Sequence, residues 1–215
     1  VDVDIRPVFI YGRYRKLSRG IPQTRWPCRS CRGRSEGCEA CEGTGLQYPD
    51  SVQDLIGEPF RLVLSAENTS FHGMGREDID VRCLGRGRPF VLEVKHPRVR
   101  RTDLEEVMKA VNSNGADKIE ISDLRWTNRS EVSRVKETRA EKSYTIRFSV
   151  EEQPEESFII ESISKLSGVT LEQQTPKRVS HRRADLIRKR KVVSIDNVVV
   201  EDSEVQFSVR CEAGT

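Results

Sequence analysis

Through residues 71–95 the chain reads FHGMGREDIDVRCLGRGRPFVLEVK, with Ile79, Val81 and Cys83 on one parity and Asp78, Asp80 and Arg82 on the other. That alternation predicts a half-buried strand, so the stretch is expected to be a reactive loop feeding a buried hairpin. Gly73 and Gly75 precede the acids, where bare backbone would let a ligand come close. Upstream, residues 7–11 (PVFIY) predict a strand. PDSVQDLIGEPF predicts a short helix capped by Asp50 or Ser51, and FRLVLSAE alternates like a further strand. Downstream, Thr102-Asp103-Leu104-Glu105 has the form of a capping box for a helix ending near Gly115. Strands are expected over 118–126 and 142–150, the latter placing Tyr144, Ile146 and Phe148 on one face, with EVSRVKE between them as part of a helix. An acidic, proline-containing break at 151–156 leads into SFIIESISKLSG, an amphipathic helix pattern, then a basic run passing into β-branched residues, and a closing strand EVQFSVRC. No repeat is present, and the order of elements fits an α+β fold rather than a strict βαβ series.

Composition narrows this little. A chain of 215 residues with 35% hydrophobic and 33% charged positions can bury a substantial core, as one large or two small domains. No apolar run approaches the roughly twenty residues of a membrane span, and VDVDIRPVFIYG lacks the basic-then-apolar build of a signal peptide. A cytoplasmic location and no membrane partner are expected. The net charge of +3 names no partner, but its distribution is uneven: residues 6–25 carry six basic residues and no acid, and 177–191 carry eight against one acid. Such runs suit a polyanion, or are solvated faces. In the first run Arg13, Lys16 and Arg19 alternate with Tyr14 and, further on, Trp26, a mixture that fits nucleic acid because rings stack on bases while cations meet phosphates.

Two cysteine pairs, Cys28/Cys31 and Cys38/Cys41, are each followed closely by glycine. Four thiolates at this spacing suit one tetrahedral zinc, and with no open ligand position the metal would be structural, in a knuckle spanning 26–46. Disulfides are the alternative that an intracellular chain disfavours. Cys83 and Cys211 read as buried thiols. The acids of the central stretch admit three readings. Asp80 followed by Glu93-Val94-Lys95 has the spacing of a metal-dependent nuclease. Arg76-Glu77-Asp78 could present one aspartate for metal-free chemistry, with Arg76 holding the carboxylate. Otherwise the acids are the solvated face of a hairpin, and the chain is a zinc-knuckle RNA-binding module without chemistry.

In order along the chain, GRYRKLSRGIPQTRW, SVQDLI, GREDIDVRCLGRGRPFVLEV, KSYTIRF, TPKRVSHRR and a final AGT resemble the archaeal and eukaryotic tRNA pseudouridine synthases that act on two adjacent T-loop uridines, positions 54 and 55. The four cysteines resemble the archaeal branch. The resemblance implies a pseudouridine-synthase core, an α+β domain around a mixed, largely antiparallel sheet, with residues 1–215 a part of the catalytic domain that stops at its C-terminal motif. It implies Asp78 as the catalytic aspartate, Asp80 as a supporting acid, Tyr144 stacked on the uracil and Arg76 paired with Asp78. Arg178, His181, Arg182 and Arg183 match the basic HRR string expected to meet RNA. The implied partner is tRNA and the implied cofactor none beyond a structural zinc; the oligomeric state is left open.

Overall fold

The computed structural model describes residues 4–151, 155–175 and 184–214. They fall into two compact units, Val1–Thr138 and Arg139–Thr215. No helix among the described residues is long and apolar enough to cross a membrane.

The first unit contains β1 (Val8–Lys16), a short 3-10 turn (Glu39–Cys41), α1 (Val52–Val63), β2 (Asn68–Gly73), β3 (Cys83–Lys95), α2 (Leu104–Asn114), β4 (Ile119–Thr127) and α3 (Arg129–Glu137). Its strands form one antiparallel sheet in the order β2-β3-β1-β4. Strict alternation along β1 decides the layers: Ile10 and Tyr14 join Phe90, Leu92, Val94, Ile119 and Ile121 against α1 and α2, while Phe9 joins Val91 and Val135 of α3 on the other face. Gly12 is required where β1 crosses this core, because a Cβ there would stand 2.6 Å from Leu124 and 2.8 Å from Phe90.

α1 begins where expected, with the Ser51 hydroxyl accepting from the Asp54 N–H at 3.1 Å. It does not stop short, however: the segment read as a strand, FRLVLSAE, continues the helix to Val63, through Pro59. Val52, Ile56, Phe60 and Leu64 are fully buried, an i, i+4 series, whereas Leu62, which alternation would place beside Phe60, is 62% exposed. The strand of this region is instead β2. α2 is capped by Asp103, whose carboxylate accepts from the N–H groups of Glu105 and Glu106, rather than by Thr102, and it ends at Gly115. The strand expected around residues 79–83 is also absent. Residues 78–81 form a turn closed by Val81 N–H to Asp78 O at 3.2 Å, and β3 starts only at Cys83.

The second unit contains β5 (Lys142–Ser149), α4 (Glu156–Ser164), β6 (Thr170–Gln174), β7 (Ile187–Glu201) and β8 (Glu204–Cys211), in a second antiparallel sheet ordered β5-β8-β7-β6. Val192, Val205, Phe207, Val209 and Cys211 pack with Ile163 of α4, and Tyr144 lies half-buried against them. Ile146 and Phe148 share the parity of Tyr144 but are exposed. All strand pairing among the described residues is antiparallel, and the architecture is α+β as expected.

Candidate active site

The inward parity of β1 is apolar at Ile10 and turns polar at Tyr14 and Lys16, both fully buried. Tyr14 pairs directly with Arg88 across β1 and β3, so their side chains are neighbours on one face. Between them lies Glu77. The Tyr14 hydroxyl donates to its carboxylate, 2.7 Å from Oε2 and 3.0 Å from Oε1, and Arg88 Nε stands 2.8 Å from Oε2. The Glu77 side chain is 2% exposed and that of Arg88 10%. Burial, and then the Glu77 charge, push the Tyr14 phenol well above its ordinary range, which keeps it neutral and donating. Removing one member of such a buried ion pair typically costs about 3–5 kcal/mol, because the other is left uncompensated.

These side chains also grip the backbone of the loop that joins β2 to β3. Arg88 donates to Met74 O at 2.7 Å, and Gln23 Nε2 donates both to Gly75 O at 3.0 Å and to the Tyr14 oxygen at 2.8 Å. Lys16 Nζ donates to Ile21 O at 3.0 Å, Asp78 O at 2.9 Å and Ile79 O at 3.1 Å. A loop without regular structure is therefore held at Met74, Gly75, Asp78 and Ile79 by side chains beneath it. Gly73 also serves this packing: a Cβ there would lie 2.7 Å from Gln23 Nε2 and 3.0 Å from Gly75 O. The Asp78 carboxylate accepts from the N–H of Ile79 at 3.0 Å.

Lys16, expected among the RNA contacts, is thus buried, and its ammonium is committed to three carbonyls. Burial lowers its pKa, while Glu77, Cys83 and the loop aspartates oppose that fall. Arg13 lies on the opposite face of β1, donating to Gly87 O at 3.0 Å and standing 3.8 Å from Asp123. Arg19 is exposed. The Arg76 guanidinium lies 5.3 Å from the ring centroid of Trp26, which meets Tyr48 edge-on at 5.6 Å. Tyr144 belongs to the second unit. The string Arg178, His181, Arg182 and Arg183 lies outside the described residues.

The nuclease constellation is not assembled. Cys83, close to Asp80 in the chain, pairs with Lys16, and Glu93 pairs with Phe9. On an extended strand those two β1 positions stand roughly 23 Å apart. Glu93 is instead engaged by His72, with Nε2 to Oε2 at 3.0 Å. Among the described residues, the group that could hold a metal is Cys28, Cys31, Cys38 and Cys41, whose sulfurs lie within 4.8 Å of one another. Cys31 Sγ and Cys41 Sγ are 3.8 Å apart. A tetrahedral ion with metal–sulfur bonds of about 2.3 Å needs sulfurs about 3.8 Å from each other, so the donors fit. The tight turns place Arg32, Gly33, Ser35, Gly37, Glu42, Gly43 and Gly45 at positive φ. At Gly45 a Cβ would stand 3.0 Å from Gly33 O. The Ser35 backbone N–H is the main cause that holds the Cys31 thiol down to about 6. The knuckle closes at its base through Cys28 N–H to Gly45 O at 2.8 Å and Gln47 N–H to Trp26 O at 2.9 Å, next to the ring that receives Arg76.

The family described as Pus10, C-terminal, matches residues 9–215, nearly the whole chain. The chain belongs to this family. It is 49% identical to the tRNA pseudouridine synthase Pus10 of Methanothrix thermoacetophila, over all of this chain and 47% of that protein. Against the proteins of the same name from Methanosphaera stadtmanae and Methanocaldococcus jannaschii it is 46% and 45% identical, over all of this chain and 52% and 46% of theirs. The chain spans about half the length of the curated relatives it matches. A chain of a solved Cbf5-Nop10-Gar1 complex is similar at a TM-score of 0.42 and 19% identity, over 76% of this chain and 36% of that one, too loosely to bear on the site.

In this Pus10 C-terminal segment the sequence offers Tyr14 as a ring to stack on RNA bases, whereas the structure buries it completely with its hydroxyl on Glu77. Gln23 and Arg88 belong to no motif, and Glu77 stands in the sequence only as the middle of Arg76-Glu77-Asp78. A strand over residues 79–83 would put Asp78 and Asp80 on one face and set Glu77 apart; the turn that forms there instead leaves Glu77 buried between Tyr14 and Arg88. Nothing local pairs Tyr14 with Arg88, since only the register of β1 on β3 brings them together.

Proposed function

We propose that this chain is the catalytic part of a tRNA pseudouridine synthase acting on T-loop uridine at position 54, 55 or both, with Asp78 as the catalytic carboxylate. The observation that supports the reading is the clamped loop 74–79, which holds Asp78 by its own backbone carbonyl within GREDIDVR, the string whose resemblance to the family implies the catalytic aspartate. The reaction breaks the N1–C1′ bond, turns the uracil and joins C5 to C1′; C5 loses its proton and N1 takes one up, so that substrate and product are isomers. It needs no redox partner, and Asp78 acts on the ribose or the base. The nucleotide must leave its stack, at a cost of a few kcal/mol that stacking on Tyr144 offsets. Arg76 pairs with Asp78 and holds its carboxylate until substrate arrives; Arg13 and Arg19, with the basic string 178–183, meet the RNA backbone. Cys28, Cys31, Cys38 and Cys41 hold one structural zinc, and the chemistry proceeds in EDTA while that zinc is retained.

The test is Asp78→Asn in the full-length protein. Asn keeps an oxygen for the Ile79 N–H, so the loop should persist. Mapping pseudouridine in a tRNA transcript should show no product, while tRNA affinity stays within about threefold of wild type, because the lost group acts in the transition state rather than in binding. Full activity of this variant, or cleavage of the RNA, would overturn the reading.

A further inference from the structure

Resting on the assignment of Asp78 as the catalytic carboxylate, we infer that Glu77, held by Tyr14 and Arg88, is a positioning residue that aims Asp78 at its substrate. The sheet face beneath α1 and α2 is otherwise apolar, built from Ile10, Phe60, Phe90, Leu92 and their neighbours. Its polarity changes where it meets the loop carrying Asp78. A buried Tyr–Glu–Arg network is a costly way to fill that space, and an apolar trio would pack it at least as well. What the network supplies is direction. Glu77 and Asp78 are consecutive, so fixing the Glu77 carboxylate from two sides fixes the peptide that orients Asp78. The same side chains hold the loop on the glycine side, Arg88 through Met74 O and, via Tyr14, Gln23 through Gly75 O. Gly73 and Gly75 would otherwise leave that approach loose, and Gly75 sits at φ +69°, a conformation suited to glycine. Opposite charges on Glu77 and Arg88, 2.8 Å apart, also let two successive acids coexist without adding an uncompensated charge beside the reacting one.

Positioning and plain structural support differ in what they do to the rate of folded enzyme. Misplacing a reacting group by about 1 Å costs on the order of a hundredfold in rate. Full-length enzyme in excess over a tRNA transcript gives the single-turnover rate of pseudouridine formation, and filter binding gives tRNA affinity. Glu77→Gln and Tyr14→Phe should slow the single turnover by about 10-fold to 100-fold, with affinity within about threefold of wild type. The double variant Glu77→Met with Arg88→Met removes both buried charges together. It should melt close to wild type yet stay slow, since the methionine thioether accepts only weakly from Tyr14 and cannot donate to Met74 O. A purely structural role predicts instead that rate returns with stability in that double variant. Wild-type single-turnover rates in Glu77→Gln and Tyr14→Phe, or full recovery of rate in the methionine pair, would overturn the inference. Should the charge-altering variants fail to fold, Tyr14→Phe, which deletes one hydroxyl and no charge, decides alone. Asp78→Asn separates the two readings: activity in that variant removes the catalytic assignment itself, whereas an inactive Asp78→Asn beside a fast Tyr14→Phe removes only the role of Glu77.

Discussion

At the scale of single residues, the same chemistry means different things on the two faces of one strand. Arg13 and Lys16 stand three positions apart on β1 and therefore face opposite sides, so one reaches Asp123 and Gly87 while the other disappears under the loop. Tyr14, on the buried side, gives a test through pH. Its folded pKa is raised above the ordinary 10.0, by burial first and the Glu77 charge second. The neutral phenol is thus favoured in the folded state, and the unfolded chain sheds this proton first as pH rises. The resulting stability is fully present below pH 10 and is lost from there up to the folded pKa, at about 1.4 kcal/mol per pH unit. Lys16, whose pKa is lowered, contributes the opposite slope below 10.5, but it does so in both proteins when wild type is compared with Tyr14→Phe. Urea midpoints measured from pH 8.5 to 11 should therefore fall more steeply for wild type than for Tyr14→Phe above about pH 10. Parallel curves there would contradict the buried, neutral Tyr14.

At the scale of elements, periodicity was a sound guide where it ran long and a poor one where it ran short. The i, i+4 series from Val52 to Leu64 outweighs the brief alternation of Phe60, Leu62 and Leu64, because a helix already capped at Ser51 continues at the gain of one hydrogen bond per residue. Around Ile79, Val81 and Cys83 the alternation is an accident of a turn: among the described residues no strand pairs with residues 79–82, while Ile79 O accepts from the Gly20 N–H of a loop and the Lys16 ammonium takes the carbonyls of Asp78 and Ile79. The knuckle is an element of a different kind, with little apolar burial beyond Cys28 and Cys41. Its order should depend on metal, at an apparent binding energy of about 10–16 kcal/mol. One zinc per chain, with metal–sulfur distances of about 2.3 Å by X-ray absorption, is expected. Removing it should speed hydrogen exchange across residues 28–45 while β1 and β3 stay protected. Protein purified without chelator and found free of zinc would count against this, as would pairing of these cysteines as disulfides under reducing conditions.

At the scale of the whole molecule, a net charge of +3 conceals how much of the basic content is locally neutralised. In the run 6–25, Arg13 is near Asp123, Arg15 pairs with Glu120, Arg25 pairs with Asp54, and Lys16 is buried. Arg19 is the exposed cation of that run placed just beyond β1. If it meets a phosphate of tRNA, Arg19→Ala should lower the slope of log affinity against log salt by about 0.7–0.9, the effect of one lost contact. Arg15→Ala should change that slope little. Equal effects of the two, measured by filter binding across a salt series, would return the run to a solvated surface without a part in recognition.

Read alone, the sequence determined the features that depend on neighbours in the chain. These are the capped start of α1, the existence of α2, the opening of β1, the strands β4, β5 and β8, the α+β class, and the two CxxC pairs whose sulfurs do gather. Only the tertiary structure decided which side of β1 each basic residue occupies and what its partner is. Tyr14 meets Glu77 across a separation of 63 residues, and Arg88 meets both because the register of β1 on β3 sets Tyr14 opposite Arg88; a slip of one residue would put Tyr14 and Arg88 on opposite faces. Local pattern carries the period of a strand but not its phase against another strand. Buried polar partners are fixed by that phase, because each buried donor or charge must find its acceptor in the space the register leaves.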